Sequence, residues 1–543
     1  MKRENTVRQN FFIKKLGIID LYSKTSIAYL LIWGTLSCTT SSQVSWDYKT
    51  KLNMDETPIV RGSPVILFLI DGLGYETWKN VSEKGQIKNT NLFFNSKTKG
   101  YTQFPSLTFP NVSSILMTES MAINPITHNQ LYADFENEGD RSLRKIYNLE
   151  TPFGLKKVNK AIQSQLIFSN LSEQNLKTVS LAHSFYEGTD AKLDLKLDSS
   201  LNYITNNAFN VDELTLKSLE TLLNEKNRDK IPDFIFVHLV SYDFMSHEYG
   251  PYSKKALKQL TRLDQLLKNI YQQLIQKEIK QGLYFTALLT SDHGFIKPKN
   301  RIHDFDEKIE KKLFEILVHD KSNSKFNRVD FDKNFASDLT KPPHLVQNDF
   351  VVIEEGRLAS INFKKGADLN ELFNVASSFI NQKPIGIVAF RRLNKIWILN
   401  KQNLVTVDYR DAQGYSTGGV NCGDDLFQIA VQIFNWNNFN GPDSIAKENL
   451  DVMKLWYCPL DTESVYKYKN YPYFFRQISN YFKSPNHSDI LMIADDGYAF
   501  SDEYKGFHGA LTSEEIEVPI LSRNAKLFGN PIFNYQLLKF LKK

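Results

Sequence analysis

What this chain has little of narrows its class. Cysteine occurs three times in 543 residues, too rarely for a scaffold held together by disulfides. One-sided charge is missing too: 66 Lys and Arg stand against 61 Asp and Glu, a formal excess of +5. Outside the N-terminus that excess is scattered, with no dense basic stripe, so nucleic acid is not a favoured partner. Internal repeats and low-complexity tracts are absent, which excludes solenoid arrays and compositionally biased linkers. The chain is otherwise ordinary, with 42% hydrophobic and 23% charged residues, a balance that excludes wholesale disorder. Aromatic residues are plentiful, 38 Phe and 25 Tyr, but dispersed, as core residues are. The length fits one large domain with a substantial insertion, or two domains.

Residues 1–60 differ from the rest. A basic stretch, "MKRENTVRQNFFIKKLGIIDLYSK", precedes the apolar run "SIAYLLIWGTLSC", which is too short to span a bilayer comfortably. A basic region, a short apolar core and a small-residue exit together make an export signal. Leu36-Ser37-Cys38 resembles a bacterial lipoprotein cleavage site with Cys38 as the lipidated residue, departing from it at Thr35. The alternative is an uncleaved membrane anchor or a plain N-terminal helix. Export places the protein in a periplasm or at a cell surface, tethered to a membrane through Cys38 if lipidated. Cys422 and Cys458 then remain as an even pair, which an oxidising compartment joins, unless they are two separate buried thiols.

Continuous apolar runs rich in β-branched residues mark strands covered on both faces. They occur at "PVILFLI" (64–70), "TVSLAH" (178–183), "DFIFVHLV" (233–240), "LYFTALLT" (283–290) and "DILMIA" (489–494). Amphipathic helical patterns lie between them, most clearly over 251–279. Strands alternating with helices predict an α/β fold, a mainly parallel central sheet sandwiched by helices. From about 296 to 485 the alternation breaks, and 349–363 and 385–411 read as antiparallel hairpins. The expected division is an export segment (1–38), a polar tether (39–60), a catalytic core (61–295 and 486–543) and an inserted α+β cap (296–485).

Ligands of parallel sheets bind beyond the C-terminal ends of the strands, and polar residues with metal-ligand chemistry fall there. Asp71 follows the first run in Asp71-Gly72-Leu73-Gly74. Asp243 and His247 follow the third, one helical turn apart, so both side chains can reach one ion. Asp292 and His293 follow the fourth, with Gly294 allowing a tight turn behind them. His508 stands between Gly506-Phe507 and Gly509. Thr108, in Thr108-Phe109-Pro110-Asn111, opens a predicted helix whose N-terminal N–H groups suit an anion. It is either a helix cap or a nucleophile, with the Asn111 amide donating to a non-bridging phosphoryl oxygen. The remaining histidines, His183, His238, His303, His319, His344 and His487, match no motif and read as structural or surface residues.

The ordered set Asp71, Thr108 with Asn111, Asp243, His247, Asp292, His293 and His508 resembles the alkaline phosphatase superfamily, in its nucleotide pyrophosphatase/type I phosphodiesterase branch. The resemblance runs from about residue 60 to the C-terminus and is weakest across the insertion. It implies two Zn²⁺ or other divalent ions, one held by Asp243, His247 and His508, the other by Asp71, Asp292 and His293 with Thr108 alongside. It also implies in-line attack by Thr108 through a phosphothreonine. No cysteine lies near Thr108, so a sulfatase-type formylglycine is not available. Residues 101–130 contain no Lys or Arg, which favours diesters over doubly charged monoesters unless Lys156, Lys157, Lys160 or the insertion supplies a cation. The segment "MTESMAINPITHNQLY" departs from the family pattern, with His128-Asn129 near the usual place of a histidine. A phosphomonoesterase or a phospho-head-group transferase is the alternative activity, and a non-catalytic metal-binding protein a third reading.

Overall fold

The computed structural model describes residues 63–135, 143–181, 184–192, 208–302, 305–318, 344–345, 349–392, 395–401, 403–408, 428–432, 434–435, 452–456, 471–525 and 532–541. The expected export segment and tether, with Cys38, Cys422 and Cys458, lie outside these residues. Among the described residues, no helix is long and apolar enough to cross a membrane.

The central sheet has seven strands: β1 (Val65–Ile70), β2 (Ser96–Tyr101), β3 (Thr178–Leu181), β4 (Ala191–Lys192), β5 (Phe234–Leu239), β6 (Thr286–Thr290) and, near the C-terminus, β13 (Glu517–Arg523). Their order is β2-β13-β6-β1-β5-β3-β4. β1 pairs in parallel with both β5 and β6, β3 with β5 and β4 with β3. Only β13 runs against the rest. The α/β sandwich with a mainly parallel sheet is therefore the observed fold.

β1 shows why its sequence is apolar without interruption. Ile66, Phe68 and Ile70 face one cluster with Leu260, Leu263 and Leu267, while Val65, Leu67 and Leu69 face another with Val112, Ile115 and Leu116. Alternate side chains point to opposite faces, and both faces are covered by helices. The first layer is led by a long helix (Lys254–Gln281), the second by α1 (Thr108–Met117). Ser253 caps the long helix through the Ala256 N–H, and Gly282 ends it at φ +62°, a left-handed conformation suited to glycine. Truncating a side chain such as Leu67 or Leu263 to alanine would cost about 2–5 kcal/mol.

The second sheet is antiparallel and holds the predicted hairpins. It comprises β7 (Phe350–Glu355), β8 (Leu358–Phe363), β9 (Ile385–Arg392), β10 (Lys395–Leu399), β11 (Asn403–Asp408) and β12 (Ile490–Ala494), ordered β7-β8-β12-β9-β10-β11, with 434–435 at the far edge. The sequence reading had placed 489–494 with the catalytic core; it lies instead between β8 and β9. An apolar run signals a doubly covered strand but not the sheet it joins. The β7–β8 hairpin ends at Gly356 (φ +67°), and the Arg357 N–H donates to the His508 carbonyl at 3.2 Å. The second sheet thus reaches the loop that carries one of the candidate ligands.

Candidate metal centre and nucleophile

Each candidate side chain leaves an element where the sequence placed it. Asp71 follows Ile70 at the end of β1, its N–H donating to the Leu239 carbonyl of β5 at 2.9 Å. Asp243 and His247 lie on α2 (Ser241–Tyr249), which starts two residues after β5. Asp292 and His293 follow β6, and His508 comes from the loop before β13. Thr108 is the first residue of α1, whose N-cap is Leu107 with no side-chain cap bond. The hydroxyl of Thr108 faces His293 Nε2 at 3.2 Å, so the cap alternative does not describe it.

The side chains converge. His293 Nε2 is 3.4 Å from Asp71 Oδ1, 3.5 Å from Asp292 Oδ2 and 3.9 Å from Asp243 Oδ1. His247 Nε2 is 3.7 Å from Asp243 Oδ2 and 3.0 Å from His508 Nε2. The His293 and His508 rings stack at 3.7 Å. Two sets could each hold an ion: Asp243 with His293 and His508, and Asp71 with His238 and Asp292. This grouping differs from the expected one in three ways: His293 moves beside Asp243, His247 falls outside both sets, and His238 comes in.

Three observations fit cations to these sets. Each imidazole turns Nδ1 to a carbonyl: His247 to Gly506 at 3.0 Å, His508 to Ser106 at 2.9 Å and His293 to Gly294 at 3.2 Å. A carbonyl only accepts, so Nδ1 carries the proton and each Nε2 offers a lone pair inward. The 3.0 Å approach of His247 and His508 then sets two lone pairs face to face, which a cation relieves. Finally, Asp71 Oδ1, Asp243 Oδ1 and Asp292 Oδ2 are buried without a hydrogen-bond partner, and orphaned carboxylate oxygens are costly unless an ion meets them.

The electrostatics agree. Burial, then the neighbouring Asp292 and Asp243, hold the Asp71 carboxyl well above the usual range. Burial, then Asp292 and Glu150, do the same for Asp243. Burial and His293 push His247 down to about 3, and burial with His293 and His247 pushes His508 well below an ordinary histidine. The set favours neutral imidazoles, the form that binds metal.

Packing around the cluster is tight. Phe295 sets its ring against His247, His293 and His508, at 4.9, 5.5 and 5.0 Å between centroids. A Cβ on Gly72 (φ +75°) would sit 2.4 Å from the Phe295 ring, and one on Gly294 would sit 2.1 Å from the Glu514 carbonyl. Buried Arg357 pairs with Glu515 at 2.5 Å, and Glu515 also accepts from the Ala510 and Thr512 N–H groups, which follow the His508 loop. Ser106 closes the other side, its hydroxyl donating to the Ala510 carbonyl and accepting from the Gly509 N–H.

Asn111 is a correction. It is fully buried, and its amide donates to the carbonyls of Gln103, Pro105 and Leu107 at 3.1, 2.8 and 3.0 Å. Its oxygen accepts from Thr102 and from the Gln103 N–H. With donors and acceptor spent on the 102–107 loop, it shapes the approach to Thr108 and has no donor for a phosphoryl oxygen. Asn129, unremarked as a site residue in the sequence, lies nearer the chemistry: its Oδ1 accepts from the Phe109 N–H at 3.1 Å. His128 beside it is buried, its Nδ1 on the Thr127 hydroxyl at 3.0 Å. His238, taken from the sequence as a bystander, contacts Asp71. His183, His303 and His319 lie outside the described residues.

Comparison with known proteins places the chain in a family. Residues 65–411 match the family described as type I phosphodiesterase / nucleotide pyrophosphatase. Human ectonucleotide pyrophosphatase/phosphodiesterase family member 1 is 25% identical over 244 residues, 44% of this chain and 24% of its own length. Alkaline phosphatase PafA of Elizabethkingia meningoseptica is 26% identical over 202 residues, 34% of this chain and 36% of its own. The matches thus span well under half of these curated relatives. Among solved structures, human ectonucleotide pyrophosphatase/phosphodiesterase 5 aligns over 88% of this chain and 95% of its own at 12% identity and TM-score 0.49. Phosphonoacetate hydrolase from Sinorhizobium meliloti aligns over 89% and 95% at 15% identity and TM-score 0.47. The chain belongs to the type I phosphodiesterase / nucleotide pyrophosphatase family of the alkaline phosphatase superfamily, a class of metal-dependent hydrolases of phosphoric esters.

Proposed function

We propose that this protein is a two-metal phosphodiesterase acting through a covalent phosphothreonine at Thr108. The observation that carries the reading is the cluster of three inward Nε2 atoms and three orphaned carboxylate oxygens, with the Thr108 hydroxyl 3.2 Å from His293 Nε2 at its edge. Asp71, Asp243, His247, Asp292, His293 and His508 would hold two zinc-like ions. Bound there, the ions supply Lewis acidity that lowers the pKa of a hydroxyl and neutralises charge on the reacting oxygens.

Thr108 Oγ, at the open end of α1, attacks phosphorus in line with the leaving alcohol. The P–O bond to that alcohol breaks as the Oγ–P bond forms. The Phe109 N–H adjoins Thr108 and donates to Asn129 Oδ1 at 3.1 Å; released from that bond it would offer a donor to a non-bridging oxygen. Water then displaces Thr108 Oγ, leaving a phosphomonoester and free threonine.

Charge supports a diester. Lys156, Lys157 and Lys160 are exposed on a helix whose buried face is Leu155, Val158 and Ile162, so they point to solvent. Two carboxylates act at the site's edge: Glu150 raises Asp243, and Glu150 and Glu503 raise Tyr504 to about 12 after burial. A doubly charged monoester meets repulsion there that a diester meets half as strongly. Export, with lipidation at Cys38, remains the proposed setting from the N-terminal sequence.

The test is hydrolysis of bis-p-nitrophenyl phosphate against p-nitrophenyl phosphate by zinc-loaded protein, with and without a chelator. The diester is turned over faster, and the chelator abolishes both rates. A monoester preference would favour the phosphatase alternative, and inactivity on both would remove the hydrolase reading.

A further inference from the structure

His238 follows no ligand motif in sequence, yet its ring bonds the Asp71 carboxyl. Its Nε2 lies 2.9 Å from Asp71 Oδ2, and the ring is 1% exposed. We propose that His238 is a positioning residue: it fixes the Asp71 carboxylate so that the other oxygen, Oδ1, faces the metal set.

The argument starts from the sheet. β1 and β5 pair in parallel with Leu69 opposite His238 and Ile70 opposite Leu239. Asp71, the next residue along β1, anchors its N–H on the Leu239 carbonyl at 2.9 Å. Strand β5 therefore holds Asp71 twice, by backbone at Leu239 and by side chain at His238. A carboxylate on a strand end is otherwise free to rotate about its terminal torsion. With Oδ2 engaged, Oδ1 is left 3.4 Å from His293 Nε2 and without a hydrogen-bond partner.

The same division recurs across the site. Asp292 takes the Gly72 N–H on Oδ1 at 3.2 Å and leaves Oδ2 orphaned. One oxygen of each buried carboxylate belongs to the protein and one is left for an ion. The alternative, His238 as a ligand in a set with Asp71 and Asp292, leaves Asp71 Oδ2 without its donor. With Asp71 ionised, as a carboxylate facing a metal is, Nε2 must carry the proton to hold that bond, and a protonated nitrogen has no lone pair to give a metal. Partners of this kind raise the metal affinity of a site by about 10–100-fold.

This inference rests on the two-metal reading, and the experiment separates them. Zinc content and zinc affinity, by competition with a chromophoric chelator, are measured for the wild type, His238→Leu and His238→Gln. Glutamine offers an N–H donor at about the same reach but is a poor metal ligand. The wild type holds two zinc ions; His238→Leu keeps one and binds the second about 10–100-fold more weakly; His238→Gln stays close to the wild type. Wild-type affinity in His238→Leu would overturn the positioning role while leaving the two-metal reading intact. A glutamine variant as impaired as the leucine variant would overturn it in favour of a ligand or packing role. A wild type holding fewer than two ions would overturn both.

Discussion

The two halves of the site are built differently. Asp71 and Asp292 sit directly on the ends of β1 and β6, at 3% and 0% exposure, and the sheet's own hydrogen bonds place them. His247 and His508 are held differently: the His247 side chain is 22% exposed, and His508, though buried, rides on a loop. That loop is held from outside the central sheet, by Ser106, by the Arg357 N–H and by the Arg357–Glu515 pair. One half is preorganised by the core; the other depends on a hairpin of the second sheet. Tolerance to mutation should follow that difference.

The largest effect is expected in the buried half. Asp292→Asn should cost one metal ion per chain and lower turnover by several kcal/mol of transition-state stabilisation, roughly a thousandfold. His247→Asn, in the half that water reaches, should lower turnover by roughly tenfold to a hundredfold, since water can replace a lost ligand there. Steady-state rates with metal analysis give both numbers, and equal losses would erase the distinction.

Next comes the strut. Arg357→Met leaves Glu515 buried without its partner and should destabilise the fold by about 3–5 kcal/mol, read by urea unfolding. In the surviving folded protein, zinc affinity should fall. A destabilised variant with unchanged zinc affinity would show that the second sheet supports the fold and not the His508 half.

The last effect, confined to a pH window, concerns Asp212. It accepts from the Val240 N–H at 2.7 Å and the Ser241 N–H at 3.1 Å, at the start of α2. Burial raises its carboxyl to about 6, against the hydrogen bonds from Ser241 and Val240. Its folded pKa exceeds its unfolded one, so the folded state holds the extra proton between about pH 4 and 6. The stability it contributes is fully present below about pH 4 and lost as pH rises through 6, up to about 3 kcal/mol. Asp212→Asn should flatten the stability profile over that window; an unchanged profile would contradict the assignment.

Much of this was legible in the chain. Doubly apolar runs pointed to the parallel sheet, and the polar residues just beyond them pointed to the candidate ligands Asp71, Asp243, Asp292 and His293, because a strand covered on both faces has few other places for a carboxylate. Three features were not legible. Strand 490–494 has the same composition as the central strands, and composition does not encode which sheet a strand joins. Asn111 reads as a donor beside a nucleophile until the 102–107 loop is seen to use all its hydrogen bonds. His238 lies inside an apolar run and looks structural; its role depends on the register that sets it beside Asp71. That register, with the strand-end aspartate one residue beyond it, was the signal available.

The most direct measurement is elemental analysis of purified wild type and Thr108→Ala after dialysis against trace zinc. The account requires two ions per chain in both proteins, with diester hydrolysis abolished only in the variant. One ion or none in the wild type would contradict the paired centre, and a Thr108→Ala protein that still turned over would contradict the nucleophile.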